Sequence, residues 1–242
     1  MFELEHSHAP DDIKARLAEE RSANYLREWV YGGIDGVVTT FAIIAGVTGA
    51  SLSPMIVVIL GIANLVGDGF SMAAGAYSSE KTDLDNYDRL RKIEEKHIDK
   101  DPEGETEEIR QIYKAKGFKG DDLENAVKVI TDDREMWIEI MLTEEYGISP
   151  LQKLPFKTGL HTFLSFLICG AMPLLPFILH IPNAFGWALF LSSLTFFGIG
   201  CFKSLWSVHQ WWKQGFETAL IGLLAAGLSF LIGYWLRGLE LG

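Results

Sequence analysis

The chain has 242 residues, of which 48% are hydrophobic, and a formal net charge of -11 at pH 7. This acidic balance argues against nucleic-acid binding, which requires a basic surface that neutralises phosphates. The charge is also segregated, because residues 78–153 hold 21 of the 32 acidic side chains while the flanking segments hold nearly all the long apolar runs. The sequence therefore predicts a membrane protein with one large polar insertion.

Helical periodicity and apolar length define the elements in chain order. Residues 1–28 predict an amphipathic helix on the membrane surface, with Ile13 and Tyr25 at helical spacing among charged side chains. A bilayer core about 30 Å thick requires roughly 20 apolar residues in a helix. Five segments meet this requirement: 29–50, 54–77, 156–179, 184–206 and 212–236. We therefore expect an all-α polytopic protein, with transmembrane helices 1 and 2 in residues 29–77 and helices 3 to 5 in residues 154–242.

The polar insertion, residues 78–153, lies between the second and third spans and predicts three helices of its own. The first continues out of the second span to about Lys100. Asp101 is a favourable N-cap and Pro102 a favourable first residue for the second helix. The third is expected over about 122–146. Because Lys and Arg concentrate in the N-terminal segment and the insertion, the positive-inside rule makes both cytoplasmic and places the C-terminus outside.

Four polar or soft side chains stand out within the first two spans. Asn64, Asp68 and Met72 follow one another at intervals of four residues, so they form one stripe on a helix. Asp35 lies in the first span, and with a rise of about 1.5 Å per residue it is as far from the connecting turn as Asp68. Since an isolated carboxylate is costly inside a bilayer, this pattern favours a transport pathway. The alternative is that both acids are neutral, hydrogen-bonded packing residues.

The insertion contains three pairs of side chains that suit a divalent metal ion. Each pair shares one face of a predicted helix, so that three helices could direct all six side chains at one site. The pairs are Glu94 with His97, Glu105 with Glu108, and Met141 with Glu145. Carboxylates and an imidazole are suitable ligands for Fe, Mn or Zn. The alternative is an ordinary solvated helix face.

Several segments resemble the vacuolar iron transporter family, namely GGIDGVVTTFAIIAGVTGA, ANLVGDGFSMAAGAYSSEK, PEGETEEIRQIYKAKGF and MLTEEYGI. The resemblance implies a homodimer of five-span subunits that exports ferrous iron, with Mn²⁺ as an alternative substrate, from the cytosol in exchange for protons. It implies no enzymatic activity and no prosthetic group. It also implies a vacuolar membrane in a eukaryote or a plasma membrane in a prokaryote. The motifs match five insertion residues to metal ligands, namely Glu94, Glu105, Glu108, Met141 and Glu145. They match Asp35 and Met72 to the membrane path.

The chain departs from the family's pattern at three positions. Asn64 stands where plant members have a glutamate, and Asp68, one turn later, could replace that charge. Ala76 stands where many members have a glutamate, and His97 where another insertion glutamate is expected. An imidazole is still a metal ligand but a pH-sensitive one. These differences leave the choice of metal open.

Two other functions fit parts of the sequence. In the first, the insertion is a membrane-anchored metal sensor or buffer, but an anchor needs no carboxylates within the membrane. In the second, the insertion is a di-iron oxidase, but such a site needs paired Glu-x-x-His motifs and only Glu94 with His97 fits. We therefore expect a transporter, in which metal and protons compete for the same carboxylates.

Overall fold

A computed structural model of the chain describes residues 7–18, 23–149 and 152–237. Within these ranges every regular element is helical, which confirms the all-α class. The helices are α1 (Pro10–Ala18), α2 (Leu26–Gly49), α3 (Pro54–Lys100), α4 (Pro102–Ala115), α5 (Gly120–Thr131), α6 (Arg134–Glu144), α7 (Pro155–Ala171), α8 (Leu175–Ile178), α9 (Ala184–Ser204) and α10 (Trp211–Arg237), with a 3-10 turn at Met172–Leu174.

Five helical segments in the described part of the chain are long and apolar enough to cross a membrane, as the sequence predicts. They are Leu26–Gly49, Pro54–Lys100, Pro155–Ile178, Ala184–Ser204 and Trp211–Arg237. The third segment is not one regular α-helix, because the 3-10 turn separates α7 from α8. Pro173 and Pro176 lie in or beside this turn, and neither can donate the amide hydrogen that a continuous α-helix requires.

The chain divides into two compact units. One comprises residues 25–86 and 153–242, and in it α2 packs against α7, α9 and α10. Two glycines allow the helices to approach closely: a Cβ on Gly36 would clash with the backbone of α7, and one on Gly233 with the backbone of α2. Burial of apolar surface gives little driving force in lipid, so such close approach is a main source of stability there.

The other unit comprises residues up to 24 and 87–152, and α4, α5, α6 and the end of α3 share its apolar core. Ile109, Ile138 and Met141 are fully buried in this core, and Trp137 is 6% exposed. Each fully buried aliphatic or aromatic side chain contributes roughly 1.5–3 kcal/mol. This unit therefore has the core it needs to hold polar side chains in fixed positions.

The prediction of one amphipathic helix over residues 1–28 is wrong in extent. Helix α1 covers only Pro10–Ala18 and buries no side chain, residues 23–25 are not helical, and Leu26 already belongs to α2. Residues 1–6 and 19–22 of the predicted helix lie outside the described residues. Tyr25 is the residue just before α2, and its hydroxyl accepts a hydrogen bond from Leu154 N at 3.3 Å.

The predicted helix 122–146 is two helices. Helix α5 ends at Thr131 and α6 begins at Arg134, because the Asp133 side chain caps α6 by accepting hydrogen bonds from the amides of Glu135 and Met136. The two helix boundaries at the preceding turn agree better with the prediction. Helix α3 ends at Lys100, and α4 begins at Pro102 behind the Asp101 cap.

Candidate metal centre

A sharp turn between α3 and α4 builds the candidate metal centre. Asp101 is the single residue between the two helices, and its carboxylate accepts a hydrogen bond from the amide of Gly104 at 3.1 Å. This cap begins α4 immediately where α3 ends, so the last turns of α3 face the first turn of α4. Glu94 and His97 on α3 thereby meet Glu105 on α4.

The three side chains lie at metal-ligand distances from one another. His97 Nδ1 is 3.2 Å from Glu105 Oε1 and 3.9 Å from Glu94 Oε1. One ligand atom from each residue lies within 4.8 Å of the other two. Glu94 is fully buried and Glu105 is 5% exposed, whereas the His97 side chain is 47% exposed. The cluster therefore has a closed carboxylate side and an open imidazole side through which an ion can enter.

Two buried oxygens in this cluster lack hydrogen-bond partners. They are Glu94 Oε2 and Glu105 Oε2, which are shielded from solvent. Leaving buried charged oxygens unpaired is costly, and a cation or a proton between the carboxylates would remove that cost. Burial, followed by repulsion from Glu94, Glu108 and Glu145, raises the pKa of Glu105 to about 7. A protonated Glu105 can donate a hydrogen bond to Glu94, and a cation held between the two carboxylates would take the place of that proton.

Tyr146 is a functional candidate that the sequence reasoning missed. Its hydroxyl donates a hydrogen bond to Glu94 Oε1 at 2.9 Å, and burial together with this bond raises the pKa of Tyr146. The backbone just beyond α6 fixes the tyrosine, because Gly147 adopts a positive φ of 69° and Ile148 N bonds to Leu142 O at 2.9 Å. The signal was the tyrosine next to Glu145 in MLTEEYGI.

The other predicted insertion ligands lie around this cluster in different environments. Glu108 and Glu145 are exposed, yet both are near enough to raise the pKa of Glu105. Partial desolvation of its carboxyl group and the charges of Glu108 and Glu94 raise the pKa of Glu145 in turn. Met141 is fully buried in the apolar core of the same unit. The structure thus brings Glu94, His97 and Glu105 into one group, and holds two further carboxylates within electrostatic range.

In the membrane unit, the predicted pathway residues lie on α2 and α3. The amide of Asn64 donates a hydrogen bond to the carboxylate of Asp68, and Asn64 Oδ1 is buried without a partner. Asp68 is exposed and Asp35 is half-buried, and the two carboxylates are near enough for their charges to interact. Repulsion between two such carboxylates favours binding of a cation between them.

A cavity of about 500 Å³ lies beside Met72 in the membrane unit. Glu28, Glu80 and Asp83 line it, and none of these acids was assigned to the path from the sequence. Glu28 is 7% exposed although it is a carboxylate near the start of a membrane helix. Burial of this kind depends on contacts between distant segments, which the sequence pattern does not reveal.

The described chain has apolar helices of membrane-spanning length that carry carboxylates, and a helical unit with potential metal ligands. Together these features define a polytopic membrane protein of the metal-transporter class. A family model described as the VIT family matches residues 26–234. The chain therefore belongs to the VIT family, which confirms the resemblance seen in its motifs.

Relatives from different kinds of organism agree with this assignment. A vacuolar iron transporter of Plasmodium berghei (strain Anka) is 29% identical over 96% of this chain and 89% of its own length. A vacuolar iron transporter of Toxoplasma gondii is 31% identical over 89% of this chain and 76% of its own. Vacuolar iron transporter 1 of Arabidopsis thaliana is 29% identical over 86% and 84%. The similarity thus includes both the membrane helices and the insertion.

Proposed function

We propose that the chain transports divalent transition metal, Fe²⁺ with Mn²⁺ as an alternative, out of the cytosol in exchange for protons. The observation that carries the proposal is the group formed by Glu94, His97 and Glu105, with two buried oxygens that lack partners. An acidic, partly imidazole ligand set suits these borderline-hard ions. The names of the relatives support iron as the transported ion.

The proposed path has two stages. The insertion, a cytosolic metal-binding domain in residues 78–153, collects metal through Glu94, His97, Glu105, Glu108, Met141 and Glu145. Within the membrane, Asp35, Asn64, Asp68 and Met72 then conduct the ion. Protons and a divalent ion compete for these two acids, so loading of the metal displaces protons, which couples metal and proton movement.

The assembly and orientation belong to the same proposal. Lys and Arg are concentrated in the N-terminal segment and the insertion, which supports a cytoplasmic location for both. Large apolar side chains on α3 are exposed, including Ile59, Val66 and Phe70, and lipid or a second subunit would cover them. We infer a homodimer in a vacuolar membrane or, in a prokaryote, in the plasma membrane.

Metal flux tests the proposed function. Purified full-length protein is reconstituted into liposomes, and Fe²⁺ uptake is measured with a pH gradient and after a protonophore has dissipated it. We expect uptake that depends on the gradient. Metal binding to the purified protein without any uptake would instead support a membrane-anchored metal sensor or buffer.

A further inference from the structure

The cavity beside Met72 in the membrane unit has an acidic lining, and its carboxylates have no role in the path described so far. Its wall comes from α2, α3 and α7, and it lies next to Met72. Of its charged lining residues, Glu28, Glu80 and Asp83 are acidic and Arg27 is basic, so the lining has two formal negative charges in excess. Such a concave acidic surface concentrates cations.

Glu28 is the unusual member of this lining. Only 7% of its surface is exposed, and one of its oxygens, Oε2, has no hydrogen-bond partner. The other oxygen, Oε1, is 2.8 Å from the ammonium nitrogen of Lys153. A buried carboxylate with one neutralised and one unused oxygen is a place where a second cation would be stabilised.

Lys153 is a cation that can leave this position. Its side chain is 25% exposed, and its ammonium also lies 5.8 Å from the centre of the Tyr25 ring, an alternative site of cation binding. Lysine has a long flexible side chain and a strongly hydrated ammonium group, so the free-energy cost of moving that group from Glu28 into solvent is small. The pair is therefore exchangeable.

We propose that Glu28 and Glu80 form a second cation subsite on the wall of this cavity, and that Lys153 is a tethered competitor for it. This inference rests on the proposed function, because it gives the transported ion a station beside Met72. When no metal is present, the Lys153 ammonium neutralises Glu28. An arriving divalent ion displaces the ammonium and takes the carboxylate.

The chemistry of the subsite favours a partly hydrated divalent ion. In the described part of the chain, only the Glu94 cluster brings three ligand atoms of acidic or imidazole side chains within 4.8 Å. The three carboxylates of the cavity therefore do not all lie within that distance of one another, so we expect water to complete the coordination. Thr158 supplies a further oxygen on this wall, since its hydroxyl lies 3.4 Å from Glu80 Oε2. A cavity of about 500 Å³ has room for an ion with several waters.

A purely structural ion pair makes the opposite prediction for one variant. If Lys153 merely stabilises Glu28, removing either partner leaves one buried group unpaired, and both variants lose stability and cation binding. If Lys153 competes with the ion, its removal strengthens cation binding. The sign of the Lys153 effect therefore separates the two explanations.

The test measures Mn²⁺ binding to the full-length protein in detergent by the electron paramagnetic resonance signal of free Mn²⁺. Glu94→Gln and Glu105→Gln are present throughout to remove the insertion site. In this background we expect Glu28→Gln to weaken Mn²⁺ binding at least tenfold and Lys153→Met to strengthen it about tenfold. Lys157→Met is the matched control, because Lys157 is an exposed lysine on α7 outside the cavity lining, and it should change affinity less than twofold.

Two results would overturn the proposal. One is that the background protein binds no Mn²⁺ outside the insertion. The other is that Lys153→Met leaves the Mn²⁺ affinity unchanged or lowers it, whatever its effect on the melting temperature of the protein. The proposed function fails separately, through absence of Fe²⁺ flux by the wild type, while Mn²⁺ binding in detergent still reports on the cavity.

Discussion

Replacing Glu105 by glutamine should reduce both metal affinity and the protons released on binding. With a pKa of about 7, this carboxyl is about half protonated at pH 7, about 90% protonated at pH 6 and about 10% at pH 8. A metal ion that binds the carboxylate displaces this proton. Glu105 should therefore release about half a proton per ion at pH 7 and lower the affinity about tenfold between pH 8 and pH 6.

Calorimetric titration of Mn²⁺ into the full-length protein in detergent gives both quantities, when it is repeated in buffers of different ionisation enthalpy. At pH 7, Glu105→Gln should release about half a proton fewer per ion than the wild type. Glu103→Gln is the control, because Glu103 is an exposed acid on the same first turn of α4. Proton release by Glu105→Gln that equals the wild-type value would refute this account of the site.

Three further outcomes follow from the same cluster. Tyr146→Phe removes the hydrogen bond to Glu94 and should weaken Mn²⁺ binding about ten- to a hundredfold by the same calorimetry; an unchanged affinity would exclude a role for the phenol. Imidazole coordinates a metal ion only when it is neutral, so His97→Gln in the Glu105→Gln background should remove the pH dependence of Mn²⁺ affinity that remains between pH 7 and pH 6. A retained pH dependence would exclude His97 as a ligand. In the metal-free protein, the raised pKa means that ionised Glu105 destabilises the fold increasingly as pH rises from about 4.5 to about 7. Glu105→Gln should accordingly slow amide hydrogen exchange in α4 at pH 8, because it raises the free energy of opening by up to about 3 kcal/mol. Exchange at the wild-type rate would contradict this.

Local signals in the sequence predicted much of the fold and part of the site. The apolar lengths predicted the five membrane segments, and the Asp101–Pro102 cap predicted the turn between α3 and α4. That turn brings Glu94 and His97 to Glu105, so helix spacing together with one cap was enough to anticipate their meeting. The assignment of these side chains as metal ligands remains a proposal.

Features that depend on distant contacts or on competing local signals were not predicted. The break between α5 and α6 was missed because no glycine or proline marks it, although Asp133 is of a favourable N-cap type and caps α6 in the structure. Glu28 and Lys153 are 125 residues apart, and neither side chain reveals the other in a single sequence. The bond from Tyr146 to Glu94 joins the segment after α6 to α3 in the same way.

Coupled metal and proton flux through the membrane acids tests the central claim most directly. Liposomes containing the wild type, Asp35→Asn or Asp68→Asn are assayed for Fe²⁺ uptake and for dissipation of a pH gradient. Asparagine preserves the shape of aspartate but cannot exchange a proton. We predict that both variants lose both fluxes while the purified proteins still bind Mn²⁺ through the insertion. Wild-type rates of metal uptake and proton movement in both variants would contradict the proposed pathway.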